Sequence, residues 1–234
     1  MRKKLKAQEL FSLTLVSILL VVFLTPMSFG SQKDGSEVIL VPINYTTSDQ
    51  VVTVLNKSGE KLDLSGFRIK AGEGKVFEFP STEPIWIDPF GVLKVHSGED
   101  ASEDYSAEEE FYWTNEDIWR ENRTARLINP EGEVIFTMEL SRVDEVDQLA
   151  GCLTRNEVRL YGLKTCPHCI SQKEEFGSAV EYLSYLECTK NRKRCIEDGI
   201  RSVPAWVKGD KDKIAVGKKS LDRISELAGC NYHD

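Results

Sequence analysis

The residues with the clearest chemical potential in this chain are two cysteines separated by two residues, in Cys166-Pro167-His168-Cys169. They follow the apolar segment 158–162 and open a helix-like run that we expect to extend over 170–185. Two thiols at this spacing can form a disulfide across one helical turn. At a helix N-terminus, unpaired N–H groups and the helix dipole stabilise a thiolate. The motif in this setting predicts a site for thiol–disulfide exchange.

The same pair of cysteines could also ligate zinc or form a purely structural disulfide. A four-thiolate zinc site would have to include Cys188 and Cys195, with two, eighteen and six residues between successive ligands. Zinc ribbons use paired short knuckles instead. We therefore predict no metal, and no cofactor other than the redox-active disulfide itself. The structural disulfide stays open as an alternative.

Strands and helices alternate around the motif. The apolar pattern predicts a strand through Leu160, the helix after the motif, and then shorter elements. These are a strand ending at 186–188, a helix at 194–199, strands at 205–207 and 213–216, and a final helix at 221–228 stopped by Gly229. Pro204 lies at the mouth of the 205–207 strand. The long helix is predicted to bury Ile170, Phe176, Val180 and Leu183.

This half of the chain resembles the thioredoxin-like domain that is fused to vitamin K epoxide reductase homologues. The resemblance is carried by Tyr161-Gly162, the Cys-Pro-His-Cys motif, 172–177, 182–188, Cys195, 199–206 and 227–230, with a counterpart for Cys152-Leu153. It implies an α/β thioredoxin fold over 157–234. It also implies that Pro204 is a cis-proline lying against the active-site sulfurs. The charged and partly helical pattern of 141–156 predicts a linker and leading helix before this fold.

Roles for the motif residues follow from their positions. Cys166 is expected to be the attacking thiolate, and Cys169, one turn into the helix, the resolving thiol. His168 is expected to donate to the Cys166 thiolate or to favour it electrostatically. Leu160 occupies the strand position where ordinary thioredoxins keep a buried Asp, and Thr165 replaces the family's usual Trp. Leu160 and the Pro-His dipeptide favour an oxidant, whereas Thr165 affects the surface on which partners dock.

The other four cysteines are expected to form disulfides. All six cysteines lie beyond residue 150, and their even number suits an oxidising compartment, although the sequence does not fix the pairing. Cys188 and Cys195 flank a strand-to-helix turn, so we expect a local bridge, with a structural role favoured over a redox relay. Cys152 and Cys230 lie at the two ends of the domain, and we expect them to pair as a staple.

The N-terminus has the pattern of an export signal. Four basic residues precede an apolar run over 10–24, which is followed by Ser28-Phe29-Gly30. We predict a signal peptide over 1–30, and the alternative is an uncleaved membrane anchor. In both cases the rest of the chain is predicted to be extracytoplasmic, either secreted or anchored outside the cytoplasm.

Residues 31–140 are predicted to form an all-β domain. Short β-rich runs such as 38–41, 51–55 and 92–95 alternate with turn sequences such as 56–59. The region resembles the lamin-tail domain, an immunoglobulin-like β-sandwich, in the segments 54–56, 62–67, 90–98, Trp119 with 122–127, and 129–134. This resemblance implies an attachment or interaction module rather than an activity.

The charge of this domain limits its partners. Residues 31–140 carry 10 Lys and Arg against 22 Asp and Glu, a net charge of −12, and the whole chain has a net charge of −8. Because phosphate neutralisation dominates nucleic-acid binding, we predict no nucleic-acid partner. The loop 98–110 holds seven carboxylates. It lacks the residue order of a calcium-binding loop, so we interpret it as a solvated acidic loop.

These patterns predict an exported two-domain enzyme: a thiol–disulfide oxidoreductase acting on cysteines of other extracytoplasmic proteins, positioned by the acidic sandwich. Two alternatives stay open. One is a reductase or isomerase fed by a separate membrane electron carrier. The other is a non-catalytic binding protein that uses the thioredoxin fold as a scaffold. The pKa of Cys166 distinguishes catalysis from a scaffold, because a working site needs a lowered value.

Overall fold

The computed structural model describes residues 37–105, 109–209 and 212–232. The signal peptide predicted over 1–30 lies outside the described residues. Across the described ranges, no helix is both long enough and apolar enough to span a bilayer. The described residues all belong to one compact unit.

The first half of this unit is a β-sandwich. Its strands are β1 (Val38–Asn44), β2 (Gln50–Asn56), β3 (Leu62–Asp63), β4 (Arg68–Ala71), β5 (Lys75–Glu78), β6 (Trp86–Ile87), β7 (Val92–Ser97), β8 (Glu110–Thr114), β9 (Thr124–Ile128) and β10 (Val134–Glu139). One sheet has the order β1-β2-β7-β8, the other β10-β9-β4-β5, and β3 pairs with β6. Neighbouring strands are antiparallel except β7 and β8, which are parallel.

Apolar side chains between the two sheets form the core of the sandwich. Burial alternates along β4 and β9, which is typical of strands with one face on a core. The core includes the fully buried Leu40, Ile69, Phe79 and Trp119. Asn56 at the end of β2 is also fully buried. Its side-chain amide donates to the carbonyls of Glu60 at 2.7 Å and Asp88 at 3.0 Å, so it replaces backbone groups in fixing the turn.

The second half mixes helices and strands around one sheet. Its elements are α1 (Glu145–Arg155), β11 (Val158–Gly162), α2 (Pro167–Glu174), β12 (Ser184–Glu187), α3 (Arg192–Glu197), β13 (Ala205–Lys208), β14 (Asp212–Val216) and α4 (Leu221–Ala228), with short 3₁₀ helices at Leu140–Arg142 and Gly177–Tyr182. The sheet order is β12-β11-β13-β14. β11 is parallel to β12 and antiparallel to β13, so the chain enters α2 from a central strand.

The helix after the motif is shorter than the sequence analysis predicted. It ends at Glu174, and the last residues of the predicted helix pair with β11 as the strand β12. Gly177, with φ of 52°, adopts a left-handed conformation that interrupts the helical course. The predicted buried face was also wrong at Ile170, which is 40% exposed. The buried residues of α2 are Cys169 and Gln172, because these face the rest of the domain.

The two halves are docked against each other through α1 and β1. β1 is buried along almost its whole length, because one face lies in the sandwich and α1 packs against the strand. The Arg155 guanidinium donates to the carbonyl of Pro42. Farther along, the Ser184 hydroxyl donates to the carbonyl of Phe90 at 3.0 Å. The sandwich therefore forms a fixed support for the helices and strands that carry the motif.

Candidate functional site

Cys166 lies at the N-terminus of α2. It is the N-cap residue, and Pro167 follows in the first turn. Proline fits this position because an N–H group in the first turn has no partner within the helix. The Cys169 N–H donates to Cys166 Sγ at 3.4 Å. The sulfur thus takes the place of the side-chain oxygen of an ordinary cap, at the end of the helix where the dipole favours negative charge.

The two thiols of the motif have opposite electrostatic environments. A hydrogen bond from the Cys169 thiol lowers the pKa of Cys166, burial acts against it, and the backbone N–H groups of Cys169 and His168 lower the pKa further. Burial, followed by the hydrogen bond with Cys166, raises the pKa of Cys169 to about 11. Cys166 is partly exposed, whereas Cys169 is buried. This arrangement gives one accessible thiolate and one protected thiol.

Pro204 lies beside the motif, at the start of β13. The Val203–Pro204 peptide bond is cis. The Cys166 thiol donates to the carbonyl of Val203 at 3.9 Å, a long contact for sulfur. Pro204 is buried, and its carbonyl accepts from the Gly217 N–H at 2.8 Å. The structure therefore brings Cys166, Cys169 and the segment before Pro204 together.

His168 contributes to Cys166 through its backbone. The side chains of Pro167 and His168 are exposed. Among the residues that the structure describes, no hydrogen bond joins the His168 imidazole to Cys166, and His168 lowers the Cys166 pKa only through its backbone N–H, whose effect on that thiol is smaller than those of Cys169 and of burial. A role for the imidazole in exchange stays a prediction.

Two further residues near the motif were not identified from the sequence. Lys173 follows Cys169 by four residues on α2, so both lie on one helix face. Its Nζ lies 4.8 Å from the centre of the Tyr185 ring. The i,i+4 spacing could have indicated Lys173. Tyr185 could not be found because it was assigned to the long helix, whereas it lies in β12.

The remaining four cysteines are paired outside the motif. The structure joins Cys152 in α1 to Cys230, just after α4, and joins Cys188 to Cys195 in α3. Cys166 and Cys169 are the free cysteines. In the described part of the chain, no group of three His, Cys, Asp or Glu side chains is placed to hold a metal ion. The two unpaired thiols are thus set apart from the four that brace the domain.

Comparison with known proteins gives a family match and a partly matching relative. Residues 31–142 match the family described as Lamin Tail Domain, which confirms the resemblance seen in the sequence. A protein of Arabidopsis thaliana named thiol-disulfide oxidoreductase LTO1 is 34% identical over 90 residues, covering 35% of this chain. The chain spans only 23% of the length of that relative.

Proposed function

We propose that this protein is an exported thiol–disulfide oxidoreductase that acts on cysteines of other extracytoplasmic proteins through Cys166 and Cys169. The proposal includes a thioredoxin fold for the second half of the chain. It is supported by a central strand leading into the motif helix, a parallel neighbour, two further antiparallel strands, and a cis-proline before β13. The name of the partly matching relative agrees with the same chemistry.

The observation that carries the proposal is the contrast between the two thiols. The lowered pKa of Cys166 increases the fraction of this residue that is a thiolate at a given pH, and partial exposure lets a substrate sulfur reach it. The raised pKa and burial of Cys169 keep it as a protonated thiol that reacts within the protein. A disulfide that only braces the fold does not need such a difference.

Exchange then proceeds in two displacements at sulfur. In the oxidising direction a substrate thiolate attacks Cys166 Sγ of the disulfide, the Cys166–Cys169 bond breaks, and its electron pair goes to Cys169. A second substrate thiolate attacks the substrate sulfur of the mixed disulfide and releases Cys166 as a thiolate. The substrate gains a disulfide and the protein keeps both electrons. A separate membrane redox partner would take these electrons to restore the Cys166–Cys169 disulfide.

The sandwich would act as a positioning module for this site. Its net charge of −12 over 31–140 suits basic or neutral exported partners and disfavours nucleic acid. Because β1 and α1 are packed together, a partner held by the sandwich would face the motif at a fixed distance. The acidic domain thus supplies a fixed attachment, with the chemistry confined to the second half.

Trapping of a mixed disulfide tests the proposed function. The Cys169→Ser variant, mixed with oxidised glutathione, should accumulate a stable one-to-one adduct at Cys166, because the internal displacement is lost. The wild-type protein should pass through this adduct without accumulating it. Cys166→Ser is the matched control and should form no adduct. If Cys169→Ser gives no adduct at Cys166, the exchange function is wrong.

A further inference from the structure

Tyr185 holds a buried hydroxyl close to the strand that leads into the motif. In the parallel pairing of β11 with β12, Tyr185 lies across from Leu160. A Cβ atom built on Gly162 would lie 2.8 Å from Tyr185 Oη, so the hydroxyl sits against the end of β11. Within the described ranges this buried oxygen has no hydrogen-bond partner. Such a group in a folded protein calls for an explanation.

Lys173 brings a positive charge to the same place. It lies one turn beyond Cys169 on α2, and its ammonium group is 4.8 Å from the centre of the Tyr185 ring, a cation–π contact. Burial raises the pKa of Cys169, and the charge of Lys173 acts in the opposite direction. Lys173 therefore faces both the resolving sulfur and the aromatic ring.

The Tyr185 hydroxyl is suited to donate rather than to accept a proton. Burial raises the pKa of Tyr185 to about 12, and negative charge on Glu187, Cys169 and Cys166 adds to the increase. The phenol therefore stays protonated at neutral pH. Because charge on both sulfurs affects it, the hydroxyl lies within electrostatic reach of the site.

We propose that Tyr185 and Lys173 stabilise the thiolate form of Cys169, Tyr185 by donating a hydrogen bond to the charged sulfur and Lys173 by its positive charge. The inference rests on the exchange function proposed above. The stabilising groups come from α2 and β12 because the side chain of Leu160 in β11, which is buried in the core, can neither donate a hydrogen bond nor carry a charge. Tyr185 and Lys173 are positioning residues, because they act on exchange through Cys169.

The assignment fits both directions of the reaction. When a substrate thiolate attacks Cys166, Cys169 leaves with the electron pair of the broken S–S bond and is stabilised as an anion before it takes up a proton from water. In the reverse direction the Cys169 thiol loses its proton to water. Its thiolate then attacks Cys166 and expels the substrate sulfur, which leaves as a thiolate. Tyr185 keeps its own proton throughout.

A groove beside α2 borders both Lys173 and Tyr185. Its volume is about 750 Å³, and its lining includes Ile170, Lys173, Leu183 and Tyr185. The exposed Ile170 thus forms part of the wall of this groove instead of the core.

The test follows the two thiols separately in one experiment. The reduced protein is mixed with a chromogenic aromatic disulfide. The attack of Cys166 releases one coloured thiol, and displacement by Cys169 releases the second. We expect Tyr185→Phe to slow the second release by about tenfold at neutral pH and to shift its pH midpoint upward, since hydrogen bonds to charged groups are among the strong ones. The first release should stay within about twofold of wild type, because Cys166 draws its stabilisation from other groups.

Controls separate this inference from the proposed function. Tyr182→Phe is the matched control, since Tyr182 is a partly buried tyrosine whose pKa responds to burial and to carboxylates rather than to the cysteines. It should leave both releases unchanged. Lys173→Gln should slow the second release as Tyr185→Phe does. If Tyr185→Phe does not fold, Lys173→Gln alone tests the inference. A normal first release with an unchanged second release in both variants overturns the inference alone. A wild-type first release no faster than that of free cysteine overturns the proposed function, and the inference with it.

Discussion

Cys166 and Cys169 lie one helical turn apart, and their surroundings move their pKa values in opposite directions. The lowered pKa of Cys166 in the folded state stabilises the reduced protein. This stabilisation is fully present above the ordinary thiol pKa of about 8.5. It is lost as the pH falls through the lower folded value. Stabilising this thiolate favours the dithiol over the disulfide, which under the proposed function would bias the couple towards oxidising its substrates.

Gly151 shows how a single position can reverse an ordinary residue preference. Alanine normally stabilises a helix interior relative to glycine by about 0.5–1 kcal/mol. In α1, however, a Cβ on Gly151 would lie 2.9 Å from the Pro42 carbonyl oxygen and 3.0 Å from Pro42 Cβ. We expect Gly151→Ala to lower the free energy of unfolding by about 1–3 kcal/mol, because α1 must move away from β1.

Urea unfolding of Gly151→Ala measures this effect. Gly74→Ala is the control, since a Cβ there meets no atom within 4 Å and the position has no positive φ. It should leave the transition close to that of wild type. An increase in stability for Gly151→Ala would show that the docking between α1 and β1 is looser than the structure indicates.

At the level of residues, the sequence predicted the motif but not its surroundings. The spacing of Cys166 and Cys169 and the nearby Pro204 could be read directly, because each depends on a local pattern. Tyr185 could not, since its importance comes from the pairing of β12 with β11, and that pairing joins residues distant in sequence. Ile170 was misplaced because spacings of three to six residues do not define one helix face.

The disulfides act at the level of the elements, and their loop lengths differ greatly. Cys152–Cys230 has a sequence separation of 78 and ties α1 to the end of α4. Cys188–Cys195 has a separation of 7 and braces only the turn between β12 and α3. In the chain-entropy account, closing these loops contributes about 4.5 and about 2 kcal/mol respectively.

We therefore expect the Cys152→Ala/Cys230→Ala double variant to lose more unfolding free energy than the Cys188→Ala/Cys195→Ala double variant. The difference should be about 2 kcal/mol, measured by urea unfolding with Cys166 and Cys169 kept reduced. Each double variant is the control for the other, because both remove two half-cystines. Equal losses, or a larger loss at the short loop, would contradict the structural role assigned to the long bridge.

Among the elements, those with local signals were predicted best. The final helix at Leu221–Ala228 is confirmed, because Ser220 caps its start and Gly229, with φ of 73°, ends it. The helix at α3 lies close to its predicted range and is held to β11 by Asp198, which accepts from Tyr161 Oη at 2.6 Å and Arg194 Nε at 2.8 Å. The long predicted helix was wrong because tertiary pairing, and not local propensity, decides the state of 184–187.

At the scale of the whole molecule, the sandwich and the second half stabilise each other. α1 packs against β1, and Arg155 donates to the carbonyl of Pro42 in an environment where burial lowers its pKa to about 10. Arg155 thus remains charged at neutral pH. The sequence indicated two folds in succession but gave no sign of this contact, since it depends on surfaces and not on motifs.

This contact predicts the behaviour of the sandwich in isolation. We expect residues 31–140 to fold alone as a β-sandwich but to unfold at lower urea than in the full chain, because β1 loses its cover by α1. Circular dichroism of the fragment, compared with a β-sheet probe in the full chain, measures the difference. Identical transitions would mean that α1 adds nothing to the sandwich.

The central claim is that Cys166 is an activated thiolate at the start of α2. Its most direct test is the pH dependence of alkylation by iodoacetamide in the reduced protein, with Cys166→Ser as the control for reaction at Cys169. We expect Cys166 to alkylate with a midpoint clearly below about 8.5, the value for a free thiol. The control should show Cys169 resisting the reagent until strongly alkaline pH. A Cys166 midpoint at or above that of free cysteine would contradict the account.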